Sequence, residues 1–74
     1  MQITVKLFAT FRNDRFKAAL QEHPEGTDCR TIVLSLGLTE DEIGVLLLNG
    51  RHATLDHLLN EGDTLSIFPL VGGG

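Results

Sequence analysis

The chain has 74 residues, which allow one small domain, and 42% of them are hydrophobic, which argues against disorder. Its net charge of −4 and its lack of Trp and Tyr exclude the basic, aromatic surface that nucleic acids require, and its single cysteine excludes an internal disulfide. Without a long apolar run or a basic leader, neither a membrane span nor a secretory signal is expected, so we predict a cytoplasmic protein. A core this small leaves little room for an enclosed active site, which favours a carrier, an interaction module or a small subunit over an enzyme.

The first part of the chain predicts two strands joined by a hairpin. Apolar and polar residues alternate over 2–8, which is the pattern of a half-buried strand. A second alternation predicts a strand at about 16–22, and the polar residues 12–15 are the expected loop. The apolar members of the second alternation are Phe16, Ala18 and Leu20.

The middle of the chain predicts one helix over about 29–36. Asp28 is a suitable N-cap and Gly37 a suitable residue to end the helix. Thr39 and Glu42 have the spacing of a capping box and predict one further helical turn. The apolar residues with helical spacing are Cys29, Ile32, Val33 and Leu36.

The last part of the chain predicts three strands. The apolar run 45–48 is followed by Asn-Gly at 49–50, the strongest short hairpin signal, so a short strand at about 51–55 should follow. Residues 64–68 form the last predicted strand, and Pro69 should end it because proline has no N–H for a ladder.

This order of elements predicts an α+β fold. One helix lies across one face of a mixed sheet of about four to five strands, with the first and last strands parallel at the centre. The domain would cover 1–69, and 70–74 would form a flexible C-terminal glycine tail.

Several short motifs follow one another along nearly the whole chain. They are V-K-L-F-A-T-F-R at 5–12, L-G-L at 36–38, L-N-G-R at 48–51, L-x-x-G-D at 59–63 and F-P-L-V-G-G-G at 68–74. In this order they resemble the ubiquitin-like sulfur carriers of the β-grasp fold. The likeness is greatest to the small subunit of molybdopterin synthase, which is also called the small subunit of the molybdopterin-converting factor. The thiamine-pathway sulfur carrier is a more distant relative.

The resemblance implies a carrier that acts with partner enzymes. The carboxylate of Gly74 would be adenylated by a ubiquitin-activating-type enzyme and converted to a thiocarboxylate, which supplies sulfur to the synthase large subunit for molybdenum or tungsten cofactor synthesis. An α-carboxylate is ionised at neutral pH and is a poor electrophile, which explains the need for activation. Gly72 and Gly73 carry no side chains, so the tail can enter a narrow channel. The chain itself would bind no cofactor, and ATP would be used by the activating enzyme.

Five residues are candidates for a partner face. Phe8 and Phe68 lie at strand positions opposite in parity to the core residues, so both rings should point away from the helix. An alternative is that Phe8 wraps under the loop 9–15. The complete candidate set is Phe8, Arg12, Leu47, Phe68 and Leu70, and relatives often have a second proline where this chain has Leu70.

The remaining reactive side chains have simpler interpretations. Cys29 at the helix start is either a small buried apolar residue, which we favour, or a redox or sulfur-transfer thiol. His52 and His57 lack further ligands at metal-binding spacing, so no metal site is expected. The acidic residues 40–42 are expected at a solvated helix start, with contact to a basic partner as the alternative.

Other functions remain open at this point. The chain could carry sulfur for thiamine or another sulfur-requiring pathway. It could instead be a ubiquitin-like modifier conjugated to lysines, or an interaction module with an inert tail.

Overall fold

The computed structural model describes residues 1–71, which form a five-stranded mixed sheet and one α-helix. The strand order across the sheet is β2-β1-β5-β3-β4. Two short 3₁₀ segments precede β2 and β3. The bounds are β1 Gln2–Leu7, a 3₁₀ segment Ala9–Arg12, β2 Ala18–Glu22, α1 Cys29–Ser35, a 3₁₀ segment Glu40–Glu42, β3 Ile43–Leu48, β4 Arg51–His52 and β5 Thr64–Pro69.

The first and last strands pair in parallel at the centre of the sheet, as the sequence predicted. In this pairing Val5 lies opposite Leu65 and Leu7 opposite Ile67. β2 pairs antiparallel with β1 on one side, and β3 pairs antiparallel with β5 on the other. No helix within residues 1–71 is long and apolar enough to cross a membrane.

The helix begins and ends where its capping residues predicted. The Asp28 carboxylate accepts hydrogen bonds from the Thr31 backbone N–H at 2.9 Å and from the Thr31 hydroxyl at 2.7 Å. Gly37 follows the helix with a φ of +79°, a conformation that glycine adopts without strain. The predicted capping box of Thr39 and Glu42 is present and opens the second 3₁₀ segment.

A single core lies between the helix and one face of the sheet. The helix contributes three fully buried side chains, and the central strands contribute the rest of the large ones. The fully buried set is Ile3, Val5, Leu7, Cys29, Ile32, Val33, Leu65 and Ile67.

In the second strand, the residues that face the core are not the apolar ones of the alternation that predicted it. β2 begins at Ala18, and its Ala19 and Gln21, opposite Val5 and Ile3 of β1, are the half-buried residues. Leu20 is 65% exposed on the other face. The apolar alternation was counted from Phe16, which lies before the strand and packs against the core from the connection.

The hairpin at 49–50 has the predicted turn. Asn49 and Gly50 have φ values of +52° and +82°, as a type I′ turn requires. The Asn49 side chain also accepts a hydrogen bond from the Thr64 N–H at 2.8 Å, which ties the turn to the start of β5. β4 is shorter than predicted, and β5 extends one residue further, through Pro69, which lies opposite Ile43.

Candidate functional site

The rings of Phe8 and Phe68 form a stacked pair at one end of the central strands. Their centroids are 4.0 Å apart and their planes differ by 14°. The parallel register that sets Leu7 opposite Ile67 brings the two following residues side by side. Both rings are half-buried and lie outside the core cluster, so the fold brings together the two aromatic residues singled out from the sequence.

Arg12 joins this aromatic pair from the first 3₁₀ segment. Its Nε donates a hydrogen bond to the Leu7 carbonyl at 2.8 Å, and its guanidinium carbon lies 5.2 Å from the centroid of the Phe8 ring. A guanidinium at this distance over a ring is attracted to the negative face of the π-system. Phe8 therefore stacks on Phe68 and beneath Arg12 rather than wrapping under the connection.

An apolar groove of about 260 Å³ adjoins the aromatic pair. We call it the docking groove, and its lining residues are Ala9, Val45, Leu47, Phe68, Pro69 and Val71. Leu47 was among the predicted partner-face residues. Val45 was missed, although it has the same strand parity as Leu47 and that parity could have found it.

The groove lies where β5 leads toward the tail. Leu70, also predicted for the partner face, is exposed but does not line the groove, and Val71, which is 80% exposed, lines it instead. The Leu70 N–H donates to the carbonyl of Glu42, the residue just before β3, at 2.9 Å, so the chain remains hydrogen-bonded to this part of the domain after Pro69. The predicted tail residues Gly72, Gly73 and Gly74 lie outside the described residues.

Cys29 is a buried core residue, as favoured from the sequence. Its side chain is 0% exposed, and burial raises the pKa of the thiol to about 11, with further contributions from the charges of Asp28 and Asp63. The thiol is therefore protonated at neutral pH and inaccessible, which opposes a role as a nucleophile.

The acidic residues at 40–42 are largely engaged within the chain. Glu40 and Asp56 both form ion pairs with Arg30, and these hydrogen bonds raise the pKa of the guanidinium. The Glu42 carboxylate accepts hydrogen bonds from the Thr39 N–H and hydroxyl, which lower its pKa. Two of the three acidic side chains, Glu40 and Glu42, are therefore engaged in contacts within the chain.

The two histidines that were weighed as metal ligands lie away from the groove. His52 and His57 line a separate open cavity of about 490 Å³ at the hairpin, together with Arg51 and neighbouring residues. Within the part of the chain that the structure describes, no group of three His, Cys, Asp or Glu side chains could hold a metal ion.

Solved structures resemble the whole domain. The putative molybdopterin converting factor subunit 1 of Pyrococcus furiosus is 27% identical, with a TM-score of 0.79 over 96% of this chain and 99% of that one. Small archaeal modifier protein 1 of Haloferax volcanii is 22% identical, with a TM-score of 0.78 over 95% and 98%. Subunit 1 in the complex of subunits 1 and 2 of the molybdopterin-converting factor of Helicobacter pylori is similar at 21% identity, with a TM-score of 0.66 over 100% of both chains. The last two likenesses show the shared fold alone.

The family comparison covers more of the sequence than any single motif. The model of the ThiS family matches residues 5–74. No curated protein matches the chain. The match includes Phe8, the docking groove and the glycine-rich end, and the fold is the ubiquitin-like β-grasp fold of the structural neighbours. The chain belongs to the ThiS family of ubiquitin-like β-grasp proteins.

Proposed function

We propose that the chain is a sulfur carrier whose Gly74 carboxylate is adenylated and converted to a thiocarboxylate, which donates sulfur in molybdopterin biosynthesis. The observation that carries this proposal is the position of the docking groove. An apolar surface with an aromatic pair and an arginine lies beside the point where β5 leads into the glycine-rich end. A carrier needs such a surface, because its partner must bind the domain and receive the tail together.

The chemistry of the tail follows from the weak electrophilicity of a carboxylate. A Gly74 carboxylate oxygen attacks the α-phosphorus of ATP, and pyrophosphate leaves to give an acyl adenylate. Hydrosulfide from the sulfur source then attacks the carbonyl carbon, AMP leaves with the bonding electrons, and loss of the proton produces the thiocarboxylate. ATP is a substrate of the activating enzyme, so the chain needs no nucleotide site of its own and contributes the acyl group.

Two features support a synthase large subunit as the acceptor. The molybdopterin-converting factor of Helicobacter pylori, whose subunit 1 has this fold, is a complex of two subunits. In the present chain, aromatic and arginine side chains beside an apolar groove are the kind of residues that anchor protein interfaces. The partners would therefore be a ubiquitin-activating-type adenylating enzyme and a sulfur-accepting synthase subunit.

Two other functions have specific support. The family match supports a sulfur carrier for thiamine or another sulfur-requiring pathway. The similarity in fold to small archaeal modifier protein 1 supports a modifier whose terminal glycine is conjugated to lysines. Both would use the same activated carboxylate and differ only in what displaces the adenylate.

Intact mass spectrometry separates these functions. The chain is incubated with ATP, a sulfur source and the activating enzyme of the same organism, and its mass is compared with that of an incubation without ATP. Replacement of one oxygen by sulfur supports the carrier, covalent adducts with lysine-containing proteins support the modifier, and an unchanged mass contradicts both. The loaded protein is then mixed separately with the molybdopterin synthase large subunit and with the acceptor of the thiamine pathway, and the acceptor that consumes the thiocarboxylate identifies the pathway.

A further inference from the structure

The chain at and just beyond Pro69 lies close against β3 at a β-bulge. We call residues 69–70 the tail root. Proline has no N–H, so a regular ladder between β3 and β5 would lose a hydrogen bond at Pro69. The register shifts between Ile43 and Val45, where one extra residue, Gly44, is inserted in β3. Beyond this bulge one further backbone hydrogen bond joins the two segments, from the Leu70 N–H to the Glu42 carbonyl at 2.9 Å.

Only glycine fits at the bulge. A Cβ on Gly44 would lie 2.6 Å from the Pro69 carbonyl oxygen and 2.9 Å from both the N and the Cα of Leu70. These neighbours are backbone atoms of the tail root, so a side chain could be accommodated only if the root moved away. Gly44 is not among the residues with positive φ, so lack of space and not backbone conformation requires glycine here.

The bulge also joins the tail root to the docking groove. Val45, which follows Gly44, lines the groove on β3. Pro69, at the end of β5, and Val71, two residues beyond it, line the opposite side. A partner that fills the groove therefore touches residues on both sides of the anchored root. If the root separated from β3, the tail would leave the domain in a variable direction.

We propose that Gly44 is a positioning residue for chemistry at the tail. By admitting the tail root against β3, it fixes the direction in which the tail leaves the docking groove, so that a partner bound in the groove receives the tail end in one orientation. This inference rests on the proposed sulfur-carrier function. Restricting the reacting group in this way raises its effective concentration at the partner's active site, while the binding of the domain depends mainly on the groove.

The structural part of the proposal is tested by hydrogen exchange at the Leu70 amide. Gly44→Ala is compared with Gly26→Ala, where an added Cβ meets nothing within 4 Å but a φ of +87° should still destabilise the domain. We expect the Leu70 amide of Gly44→Ala to exchange at least about tenfold faster than that of Gly26→Ala, after both are normalised to the amide of Ile67 in the core. Equal protection of Leu70 in the two variants would overturn the inference.

A second measurement keeps the test decisive if Gly44→Ala does not fold. In the wild type the Leu70 N–H donates to the Glu42 carbonyl, so this amide should exchange at least about tenfold more slowly than the same amide in an unstructured peptide of residues 66–74. Equal exchange rates in the folded chain and the peptide would show that the tail root is not anchored and would overturn the inference.

The functional part is tested by loading kinetics with the activating enzyme. Gly44→Ala should lower kcat for thiocarboxylate formation about tenfold relative to Gly26→Ala, while the affinity for the enzyme changes less than about threefold. If the variant lost affinity for the activating enzyme but kept its kcat, the bulge would only shape the groove, and the positioning role would be overturned. If the wild-type chain is not loaded at all, the proposed function fails, and the exchange data still decide whether Gly44 fixes the tail root.

Discussion

Phe8 and Phe68 come from opposite ends of the chain, yet their rings stack with centroids 4.0 Å apart. The parallel pairing of β1 with β5 is what brings them together, so the aromatic pair exists only when the central sheet has formed. A stacked pair contributes about 0.5–1.5 kcal/mol beyond the area it buries, and here it also presents a rigid apolar surface next to the docking groove. The same contact therefore supports the fold and shapes the candidate interface.

Phe68→Ala should weaken binding to the activating enzyme or the synthase large subunit by about 1–3 kcal/mol, because it removes an aromatic anchor from the groove. The intrinsic reactivity of the tail should not change, so a high partner concentration should restore loading. Titration of the partner in a loading assay measures both effects.

The matched control for Phe68→Ala is Leu20→Ala. Leu20 is also exposed on the open face of the sheet, but it lies on β2, separated from β5 by β1. It should leave partner binding unchanged. Equal losses of affinity in the two variants would contradict an interface centred on the groove, and unfolding of Phe68→Ala in thermal melts would assign the ring to the core.

Removal of Gly74 should abolish sulfur loading, because the truncated chain ends in a different carboxylate, one residue short of the activating site. The melting midpoint should stay nearly unchanged, since every core residue found in the described part of the chain lies between Ile3 and Ile67. Intact mass and thermal melts of the two proteins measure these outcomes together. Loading of the truncated protein at the wild-type rate would rule out the carrier hypothesis.

Cys29→Ser should lower the free energy of unfolding by about 1–3 kcal/mol, because it places a hydroxyl in an apolar site, and should leave sulfur loading intact. Chemical denaturation and the loading assay provide the two measurements. A serine variant that stays folded but cannot be loaded would show that the thiol takes part in sulfur transfer.

The same thiol makes stability fall in alkali. Its folded pKa is raised from 9.0 to about 11, so the stabilising effect of the neutral thiol is complete below pH 9 and is lost as the pH rises toward 11. The loss should reach about 2–3 kcal/mol, the equivalent of two pKa units. The unfolding free energies of the wild type and Cys29→Ser should be measured from pH 8 to pH 11. The difference between them should become smaller as the pH rises, and a constant difference would contradict the role of the thiol in alkaline instability.

Asp28 should make the helix sensitive to acid. Hydrogen bonds from the Thr31 hydroxyl and N–H lower the pKa of this carboxyl below its ordinary 3.8. Its stabilising effect is therefore present above that value and is lost as the pH falls through the lower, folded pKa. Asp28→Ala should lower the melting midpoint by a few degrees at pH 7 and by less at pH 2.

Asp28→Asn is the control for this effect, because asparagine also caps helices but does not titrate. At pH 7 its melting midpoint should be close to that of the wild type. On acidification its midpoint should fall less than the wild-type midpoint does. Melting curves recorded from pH 2 to pH 7 provide the comparison. If the asparagine variant and the wild type lose stability in parallel, other carboxylates account for the acid sensitivity.

Features that depend only on neighbouring residues could be predicted from the sequence. Asp28 and Gly37 delimit the helix because a side-chain acceptor and a residue tolerant of positive φ meet local backbone needs. Asn49 and Gly50 likewise define their turn, since few residue pairs accept positive φ at both positions. The outward direction of the Phe8 and Phe68 rings was also predicted locally, from the alternation of side chains along β5 and along β1, which Phe8 directly follows.

Tertiary structure decided the features that depend on distant parts of the chain. The inner face of β2 could not be read from Phe16 and Leu20, because pairing with β1 sets the register and a shift of one residue exchanges the two faces. The bulge at Gly44 was equally hidden, because the backbone of Pro69 and Leu70 that lies against it becomes its neighbour only after folding. Local patterns specify caps, turns and parity, whereas register and the position of the tail root depend on which strands come to lie side by side.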